Sequence, residues 1–324
     1  MTRAIRFSRT GGPEVLTLEE VPRPEPKAGE ALVRHHAIGV NFIDTYQRSG
    51  LYAVPLPSGL GSEAAGVVEQ VGEGVTSVRV GERVAYAGSG APAAYSDARV
   101  IAADRLVSLP DDVSDDVAAA CLLKGMTAEF LIHRAFAVKA GQSVLWHAAA
   151  GGVGLLACQW LSALGARVIG TVSSDQKAEL ARRYGCSETI IYTRESFATR
   201  VRELTDGRGV SVVYDSVGKA TFAESLDCLQ PRGTLVCFGN ASGKPDPFDI
   251  LQLSQKGSLY LTRPTLTHYI ATRAELLASS SALFQALRSG VKVEIGQRFA
   301  LADASAAHRA LESRGTIGST LLTL

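Results

Sequence analysis

Short hydrophobic runs broken by turn residues fill the chain from residue 1 to about residue 109. They read RAIRF, EVLTLEEV, EALVRHHAIGV, AAGVVEQVG, ERVAYAG and DRLVSLP. Closely spaced short strands of this kind predict an antiparallel, barrel-like β domain. The segment VPRPEPKAGE between two of the runs is predicted to be a solvated loop, because proline would remove a hydrogen bond from a central strand.

After Leu109 the pattern changes to strands that alternate with helices. A helical stretch, SDDVAAACLLKGMTAEFLIHRAF, begins the series, with Ser114 as its predicted N-cap. Six strand candidates follow, with helical patterns between them: SVLWH, ARVIGTV, ETIIY, VSVVYD, GTLVCF and SLYLT. This alternation predicts an α/β fold with a parallel, doubly wound sheet. A further helix over 273–288 and a final strand, IGSTLLTL, which returns to the first domain, complete the prediction.

Composition and charge limit the kinds of partner. The chain has 324 residues, of which 46% are hydrophobic and 20% charged, and its formal net charge is +1 at pH 7. This length suits two domains, and the balanced charge gives no electrostatic reason to expect nucleic acid or a membrane as partner. Because neither a signal peptide nor an apolar run of membrane-spanning length is evident, we expect a cytoplasmic protein that binds small molecules.

The spacing of cysteine and histidine argues against a metal site. The five cysteines contain no CxxC pair, and the six histidines share no spacing typical of metal ligands. We therefore expect buried free thiols, no disulfide framework and no metal.

The stretch GQSVLWHAAAGGVG, residues 141–154, carries the strongest functional pattern. A predicted strand is followed by the small residues AAGGVG and, without delay, by a helix. Small residues are needed there because the backbone turns sharply and a pyrophosphate lies against the N–H groups that begin the helix. The preceding strand and the following helix supply the context that a dinucleotide fingerprint requires. The pattern therefore predicts a dinucleotide-binding oxidoreductase.

The end of the second predicted parallel strand distinguishes NADH from NADPH. An enzyme specific for NADH usually has Asp or Glu there to bind the ribose hydroxyls, whereas this chain has Ser173 and Ser174, with Lys177 further along. Hydroxyl and ammonium groups donate to a 2′-phosphate that a carboxylate would repel, so NADPH is predicted. Asp175 opposes this interpretation, and we assign it as the N-cap of the helix DQKAELARRYG. Tyr192 lies either near the adenosine phosphate or in a half-buried strand position.

Motifs along the whole chain resemble one family. The glycine turn, with Gly141-Gln142, Leu145 and Gln159 around it, is similar to the signature of the zeta-crystallin type NADPH quinone oxidoreductases, which are zinc-free medium-chain dehydrogenases/reductases. Further resembling stretches, in the same order, are GVNFIDTYQRSGLY, PSGLGSEAAGVV, LLKGMTA, YDSVG, SLDCLQPRG, FGNASG, QKGSLYLTRP and AHRALESR. The resemblance implies a GroES-like β domain, residues 1–120 and 265–324, split around a Rossmann domain, residues 121–264. It also implies a homodimer and a cleft between the domains where nicotinamide meets substrate.

The resemblance also assigns site residues one by one. The expected substrate pocket consists of Asn41, Asp44, Tyr46, Tyr52 and Arg263. The expected cofactor contacts are Asn41, Thr127, Gly151, Gly152, Val153, Ser173, Lys177, Tyr192, Ser216, Phe238, Gly239, Ser242 and Arg314. Ala150 in the glycine turn and Ser174, whose hydroxyl follows that of Ser173, are expected to contact the cofactor as well. Ile317 departs from the family, since many members have a polar residue there.

The positions that match metal ligands change the expected chemistry. Zinc-dependent relatives bind their catalytic metal with a Cys, a His and a later Cys or acid, and the matching positions here are Asn41, Ser62 and Leu123. These residues are not a competent zinc ligand set. Without a Lewis acid to polarise an alcohol or simple carbonyl, the acceptor must itself be electrophilic, as quinones and activated alkenes are. The predicted function is that of an NADPH-dependent quinone reductase.

Alternatives stay open for both residues and function. Asn41, Tyr46 and Tyr52 either orient the acceptor or serve as a helix cap and as barrel packing. Asp44 and Arg263 either act on the substrate or pair with each other, and no residue is assigned as a general acid. The nearest rival function is an enone or alkenal double-bond reductase. A rival of another class is a nucleotide-binding structural or RNA-binding protein, against which the balanced charge argues.

Overall fold

A computed structural model describes residues 1–88 and 90–324 of the chain. The strands are β1 (Thr2–Phe7), β2 (Thr17–Val21), β3 (Glu30–Val40), β4 (Ser58–Gly59), β5 (Glu63–Val71), β6 (Arg83–Ala87), β7 (Ala98–Ala102), β8 (Val107–Ser108), β9 (Ser143–Trp146), β10 (Arg167–Val172), β11 (Glu188–Ile191), β12 (Val210–Asp215), β13 (Leu229–Cys237), β14 (Tyr260–Thr262), β15 (Ile295–Ala300) and β16 (Ser319–Thr323). The α-helices are α1 (Phe42–Ser49), α2 (Asp115–Phe130), α3 (Gly152–Ala163), α4 (Asp175–Arg183), α5 (Phe197–Leu204), α6 (Phe222–Asp227), α7 (Leu251–Gln255), α8 (Leu266–Tyr269), α9 (Arg273–Arg288) and α10 (Ala304–Glu312).

The chain divides into two compact units. Unit 1 comprises residues 1–126, 269–285 and 293–324, and unit 2 comprises residues 127–268 and 286–292. The predicted domain boundaries near residues 120 and 265 stay predictions, because a compact unit is not by itself an independently folding domain.

Unit 1 is built on β-sheets. A seven-stranded sheet has the order β15-β16-β3-β5-β6-β8, with β7 also paired to β3, and a three-stranded sheet has the order β2-β1-β4. The pairs are antiparallel except for β15 and β16, which are parallel. Inward-facing side chains such as Val33, Ile38 and Tyr86 form one buried core. The predicted final strand is confirmed as β16, where Thr320 lies opposite Val40 of β3.

Unit 2 contains the six predicted parallel strands. Their order is β11-β10-β9-β12-β13-β14, which is the doubly wound arrangement. Leu145, Ile169 and Val213 are among the residues of its buried core. The strand order reverses beside β9, so the carboxyl ends of β9 and β12 lie where such sheets bind ligands.

Several element boundaries differ from the predictions. Only Thr17–Val21 of EVLTLEEV is a strand, because Pro13–Val15 form a 3-10 turn. Only Val107–Ser108 of DRLVSLP is a strand. Hydrophobic alternation did not indicate β4, β7 or β15; half of β15 is exposed, and it carries Gly, Gln and Arg among its six residues. The N-cap role of Ser114 is confirmed, since its hydroxyl accepts from Val117 N–H at 3.3 Å, but the α-helix ends at Phe130 and a π-helical segment follows it.

The five cysteines are all buried and free, as expected. Across residues 1–88 and 90–324, none of the helices combines the length and the apolar character that crossing a membrane requires.

Candidate active site

The glycine turn after β9 has the geometry of a phosphate-binding turn. Gly151 caps α3 with extended backbone, at φ −82° and ψ 170°. Leu155 N–H makes the first hydrogen bond into the helix, to Gly151 O at 2.9 Å. The N–H groups of residues 152–154 precede that bond, where a helix offers them no acceptor of its own. They can therefore donate to an anion placed at the start of the helix.

The turn is closed on one side and open on the other. A Cβ on Gly154 would lie 2.5 Å from Ala148 O and 2.6 Å from Ala149 O, so only glycine fits there. A Cβ on Gly151 would meet only Ala148 O, at 3.2 Å. Ala150, directly before Gly151, is buried. The space beside Gly151 is thus the side from which a pyrophosphate can approach the backbone.

The segment after β10 places two hydroxyls and an ammonium together. Ser174 caps α4, because its side chain accepts from Lys177 N–H at 3.4 Å. The predicted N-cap role of Asp175 is therefore wrong: Asp175 is the first helical residue, and the serine directly before it caps equally well. Ser173 and Lys177 are half-buried, and burial lowers the pKa of the Lys177 ammonium. An ammonium in such a place is stabilised by an anionic ligand.

Arg194 is a charged neighbour of this segment that the sequence interpretation missed. Its guanidinium forms a two-armed ion pair with Asp175, at 2.9 and 2.5 Å, and this hydrogen bonding lowers the pKa of the Asp175 carboxyl. The negative charge that opposes a 2′-phosphate in the sequence is thus neutralised in the structure. The available signal was an arginine just beyond the third parallel strand. Tyr192, two residues earlier, lies just beyond the end of β11 with 42% of its surface exposed. Both alternatives for it stay predictions.

Two loops approach closely at the carboxyl ends of β12 and β13. The buried carboxylate of Asp215 accepts from two backbone N–H groups of its own loop and from the Thr221 hydroxyl at 2.8 Å. A Cβ on Gly239 would lie 2.5 Å from Ser216 O. The two loops can therefore come this close only because residue 239 is a glycine. The cofactor contacts expected at Ser216 and Gly239 stay predictions.

Other predicted cofactor residues have clear structural partners. The Ser242 hydroxyl donates to Val217 O and accepts from Ala220 N–H, at 2.7 and 2.9 Å, and so ties its loop together. The ring of Phe238 packs on Trp146 with centroids 5.6 Å apart. Their roles toward a cofactor stay predictions, as do those of Thr127, half-buried on α2, and of Arg314, exposed after α10 at φ +57°.

A buried carboxylate in unit 1 holds Asn41. Glu63, at the start of β5, is fully buried, and its Oε2 accepts from Asn41 Nδ2 at 2.9 Å and from Lys124 Nζ at 3.2 Å. Its Oε1 accepts from Leu123 N–H at 2.6 Å. The sequence interpretation gave Glu63 and Lys124 no role. A lysine inside the apolar run ACLLKGM was the available signal, because a buried charge requires a partner.

Asp44 lies one turn into α1 and is fully buried. Its carboxylate accepts from Asn41 N–H at 2.9 Å, from the Ser62 hydroxyl at 3.1 Å and from the Tyr95 hydroxyl at 3.0 Å. Burial raises the pKa of Asp44 to about 7, although these hydrogen bonds act in the opposite direction. The expected pair between Asp44 and Arg263 stays a prediction.

The hydrogen-bond network continues from the Tyr95 hydroxyl to α10. It lies 3.1 Å from His308 Nε2, and Arg48 Nη1 lies 3.3 Å from His308 Nδ1. Arg48 in turn pairs with Glu312 at 2.6 Å. Burial, together with the adjacent Arg48, lowers the pKa of His308 to about 3, so the imidazole is neutral near neutral pH.

The predicted pocket residues Tyr46 and Tyr52 contact each other. Their rings meet edge to face with centroids 5.2 Å apart, and Tyr46 is the more buried of the two. This contact is compatible with packing and with orienting an acceptor, and both alternatives stay open. Arg263, which follows β14 in unit 2, donates to Pro264 O at 3.0 Å.

The positions that match zinc ligands serve other purposes here. The Asn41 amide and Leu123 N–H donate to Glu63, and the Ser62 hydroxyl donates to Asp44. Donors directed at carboxylates do not fit a zinc ion, which needs nitrogen, sulfur or oxygen lone pairs. In the described part of the chain, no three His, Cys, Asp or Glu side chains are grouped so that they could hold a metal ion.

Comparison with known proteins identifies close relatives. Residues 27–140 match the alcohol dehydrogenase GroES-like domain, and residues 152–279 match the zinc-binding dehydrogenase family. The chain is 54% identical to a quinone oxidoreductase of Pseudomonas aeruginosa and 47% identical to a 2-haloacrylate reductase of Burkholderia sp, covering 99% of each protein in both cases. The crystal structure of Escherichia coli quinone oxidoreductase complexed with NADPH superimposes with a TM-score of 0.97 at 50% identity, over 100% of both chains.

Proposed function

This chain belongs to the quinone oxidoreductases of the zinc-binding dehydrogenase family, and on that premise we propose that it reduces quinones with hydride from NADPH. The observation that carries the proposal is the nucleotide end of unit 2, where a glycine turn and the Ser173–Lys177 segment offer donors to two phosphate groups. When bound, NADPH supplies the hydride. The quinone also takes up a proton and becomes a hydroquinone.

The chain's own residues hold the cofactor by its phosphates. N–H groups in the first turn of α3 donate to the pyrophosphate, and Ser173, Ser174 and Lys177 donate to the 2′-phosphate. Arg194 supports this preference because it neutralises Asp175. We assign the remaining contacts to Asn41, Thr127, Ala150, Gly151, Gly152, Val153, Tyr192, Ser216, Phe238, Gly239, Ser242 and Arg314.

The acceptor binds, in this proposal, against Asn41, Asp44, Tyr46, Tyr52 and Arg263. The tyrosine rings offer flat apolar surface to a quinone ring. No step requires a Lewis acid, because a quinone gains aromaticity on reduction and needs mainly orientation and exclusion of water.

Steady-state kinetics with purified protein test the proposal. We expect NADPH oxidation with a panel of benzoquinones and naphthoquinones, and a value of kcat/KM for NADPH at least about tenfold above that for NADH, since one charge-assisted hydrogen bond to the 2′-phosphate has that effect. Absence of turnover with every quinone contradicts the proposed activity. Equal use of NADH contradicts the assignment of the phosphate end.

A second candidate function is reduction of an activated carbon–carbon double bond. The 47% identity to a 2-haloacrylate reductase favours it, and a conjugated alkene, like a quinone, is electrophilic without a metal. Rates on quinones and on an α,β-unsaturated ketone or a 2-haloacrylate, measured side by side, separate the two. A kcat/KM for the alkene above that for every quinone makes the double-bond reductase the better description.

Assembly and location are parts of the same proposal. We assign a homodimer, because β14 ends the strand order of its sheet and carries the exposed Tyr260, so its outer edge is suited to a second copy. Sedimentation that gives the mass of one chain contradicts the dimer. A cytoplasmic location is checked by fractionation of cells that express the protein.

A further inference from the structure

Glu63 and Lys124 form an ion pair with almost no exposure to solvent. Their side chains are 0% and 7% exposed, and Glu63 Oε2 lies 3.2 Å from Lys124 Nζ. Room for the carboxylate depends on Gly39 of β3, where a Cβ would lie 2.4 Å from Glu63 Oε2 and 2.2 Å from Ala119 O. The surrounding backbone is therefore shaped to hold this carboxylate.

Such a pair is a poor source of stability. Taking two charges out of water costs several kcal/mol per ion, and apolar side chains of similar volume are often as stable or more stable in the same place. A buried ion pair is better explained by the groups that it positions. Glu63 accepts from Leu123 N–H on one oxygen and from the Asn41 amide on the other.

This arrangement fixes which end of the Asn41 amide faces a ligand. Nδ2 donates to Glu63 Oε2 at 2.9 Å and to Gly39 O at 3.4 Å, so both amide hydrogens are directed at the protein. The amide oxygen takes part in the capping box at the start of α1, where the Asn41 side chain accepts from the Asp44 backbone N–H. An amide oxygen has two lone pairs, so it can accept one further hydrogen bond from a ligand, and it can only accept. A simple quinone carries carbonyl acceptors and no donor. The nicotinamide carboxamide of NADPH does carry an NH2 donor.

We propose that Glu63 and Lys124 are positioning residues that orient Asn41 so that its oxygen accepts from the nicotinamide carboxamide. The inference rests on the proposed function and deepens it, because it assigns the hydrogen bond that the Asn41 oxygen accepts to the cofactor, while the quinone makes only van der Waals contact with this residue. Lys124 holds Glu63 in place as a buried anion, and Glu63 holds the amide nitrogen of Asn41. Neither residue touches a ligand itself.

The test compares NADPH with its reduced 3-acetylpyridine analogue, in which a methyl ketone replaces the carboxamide and removes the NH2 donor. Fluorescence titration gives the Kd of each for the wild type, for Asn41→Ala, for the charge-free double variant Glu63→Leu/Lys124→Met and for the triple variant. We expect the wild type to favour NADPH over the analogue more strongly than each variant does, by about tenfold, the effect of one hydrogen bond. Because the double variant acts through Asn41, the triple variant should lose no more than Asn41→Ala alone.

Two outcomes of this comparison overturn the proposal. One is a double variant that keeps the wild-type preference for NADPH over the analogue, and the other is a triple variant in which the two losses multiply. Lys139→Met, at an exposed lysine, is the matched control and should keep the wild-type preference. The titration measures cofactor binding and needs no quinone. If the protein turned over no quinone, the proposed function would be contradicted, but the titration would still decide this inference.

A second variant covers the case in which the double variant does not fold, which thermal unfolding reveals. Glu63→Gln keeps the shape of the side chain but replaces one acceptor oxygen with an NH2 donor, so residue 63 can no longer accept from both Leu123 N–H and Asn41 Nδ2. Asn41 is then held less firmly in one orientation. We expect Glu63→Gln to reduce the preference for NADPH over the analogue. An unchanged preference in this variant also overturns the proposal.

Discussion

The nucleotide end of unit 2 and the buried cluster of unit 1, which consists of Asn41, Asp44, Glu63 and Lys124, reach a fixed geometry by different means. At the nucleotide end the backbone of the 148–154 turn sets the shape, and the charged pair beside it, Arg194 with Asp175, is mostly exposed. In the cluster, side chains set the shape, and the charged pair, Glu63 with Lys124, is buried. The first region leaves donors open for a ligand, whereas in the second the Glu63 carboxylate oxygens already accept from donors of the protein.

This difference decides what a substitution does in each region. Where backbone defines the site, an added atom displaces the whole turn, and where exposed charges define it, water screens much of the loss. In the buried cluster, the loss of one partner leaves an uncompensated charge in a medium that stabilises charges poorly. The four changes below test this contrast, from the largest expected effect to the smallest.

Gly154→Val should have the largest effect on cofactor binding. Its Cβ would lie 2.5 Å from Ala148 O and 2.6 Å from Ala149 O, so α3 must move away from the turn. We expect NADPH affinity to fall more than about a hundredfold, since the N–H donors of the helix would no longer converge on the pyrophosphate. Isothermal titration with NADPH measures the loss. Gly151→Ala is the comparison. Its Cβ fits, so its melting temperature should stay near that of the wild type. Equal melting temperatures of the two variants would contradict this account.

Lys124→Met should be the most destabilising single change in the cluster. It leaves Glu63 buried without its cation, and breaking such a pair costs about 3 to 5 kcal/mol of unfolding free energy. Urea unfolding monitored by circular dichroism measures the change. Glu63→Leu/Lys124→Met should recover most of the loss, because it removes both charges. If the double variant is less stable than Lys124→Met, the cost lies in packing and not in charge.

Asp44→Asn should change how stability depends on pH. Burial raises the pKa of Asp44 to about 7, so the folded protein keeps a proton that the unfolded chain releases above about pH 4. The contribution of Asp44 to the free energy of unfolding is therefore largest at low pH. Up to about 4 kcal/mol of it is lost as the pH rises toward 7. Asp44→Asn removes that loss, so its advantage over the wild type should grow between about pH 5 and about pH 8.

Urea midpoints at those two pH values measure the effect of Asp44→Asn. Asp206→Asn, at an exposed aspartate, serves as the control and should leave the pH dependence of the wild type unchanged. Parallel pH curves for Asp44→Asn and the wild type would show that Asp44 is already ionised at low pH in the folded state.

Arg194→Ala should have the smallest effect, because the pair that it breaks is exposed. Asp175 then repels the 2′-phosphate, and we expect the KM for NADPH to rise about threefold to fivefold, while the KM for NADH changes little. Asp175→Asn/Arg194→Ala should restore the wild-type preference for NADPH. A persistent loss in the double variant would mean that Arg194 contacts the phosphate itself.

The nucleotide end was predictable from sequence because the residues that form it are close together along the chain. A strand, a run of small residues and a helix are neighbours along the chain, so the turn at 151–154 and the hydroxyls at 173 and 174 are visible in the sequence itself. The error at Asp175 has the same origin. Ser174 and Asp175 are both good N-caps, and their order in the sequence does not show which one has the extended backbone of a cap.

The buried cluster was not predictable because its partners are distant in sequence. Glu63 and Lys124 are 61 positions apart, and Asn41 joins them from a third segment. The sequence shows a lysine and a glutamate each within an apolar stretch, but it does not show that the two side chains contact each other. Arg194 was missed for the same reason, since it meets Asp175 only when β10 and β11 lie side by side.

The pairing of β16 with β3 has a consequence for the making of the protein. Thr320 lies opposite Val40, so a ribosome must add 280 further residues after Val40 before β3 can gain this neighbour. At about 5 to 20 residues per second, that delay lasts tens of seconds. During this interval the nascent β3 presents an incomplete sheet edge to other chains and to chaperones. Yield in cells should therefore respond to translation speed and chaperone supply more than the stability of the finished protein would suggest.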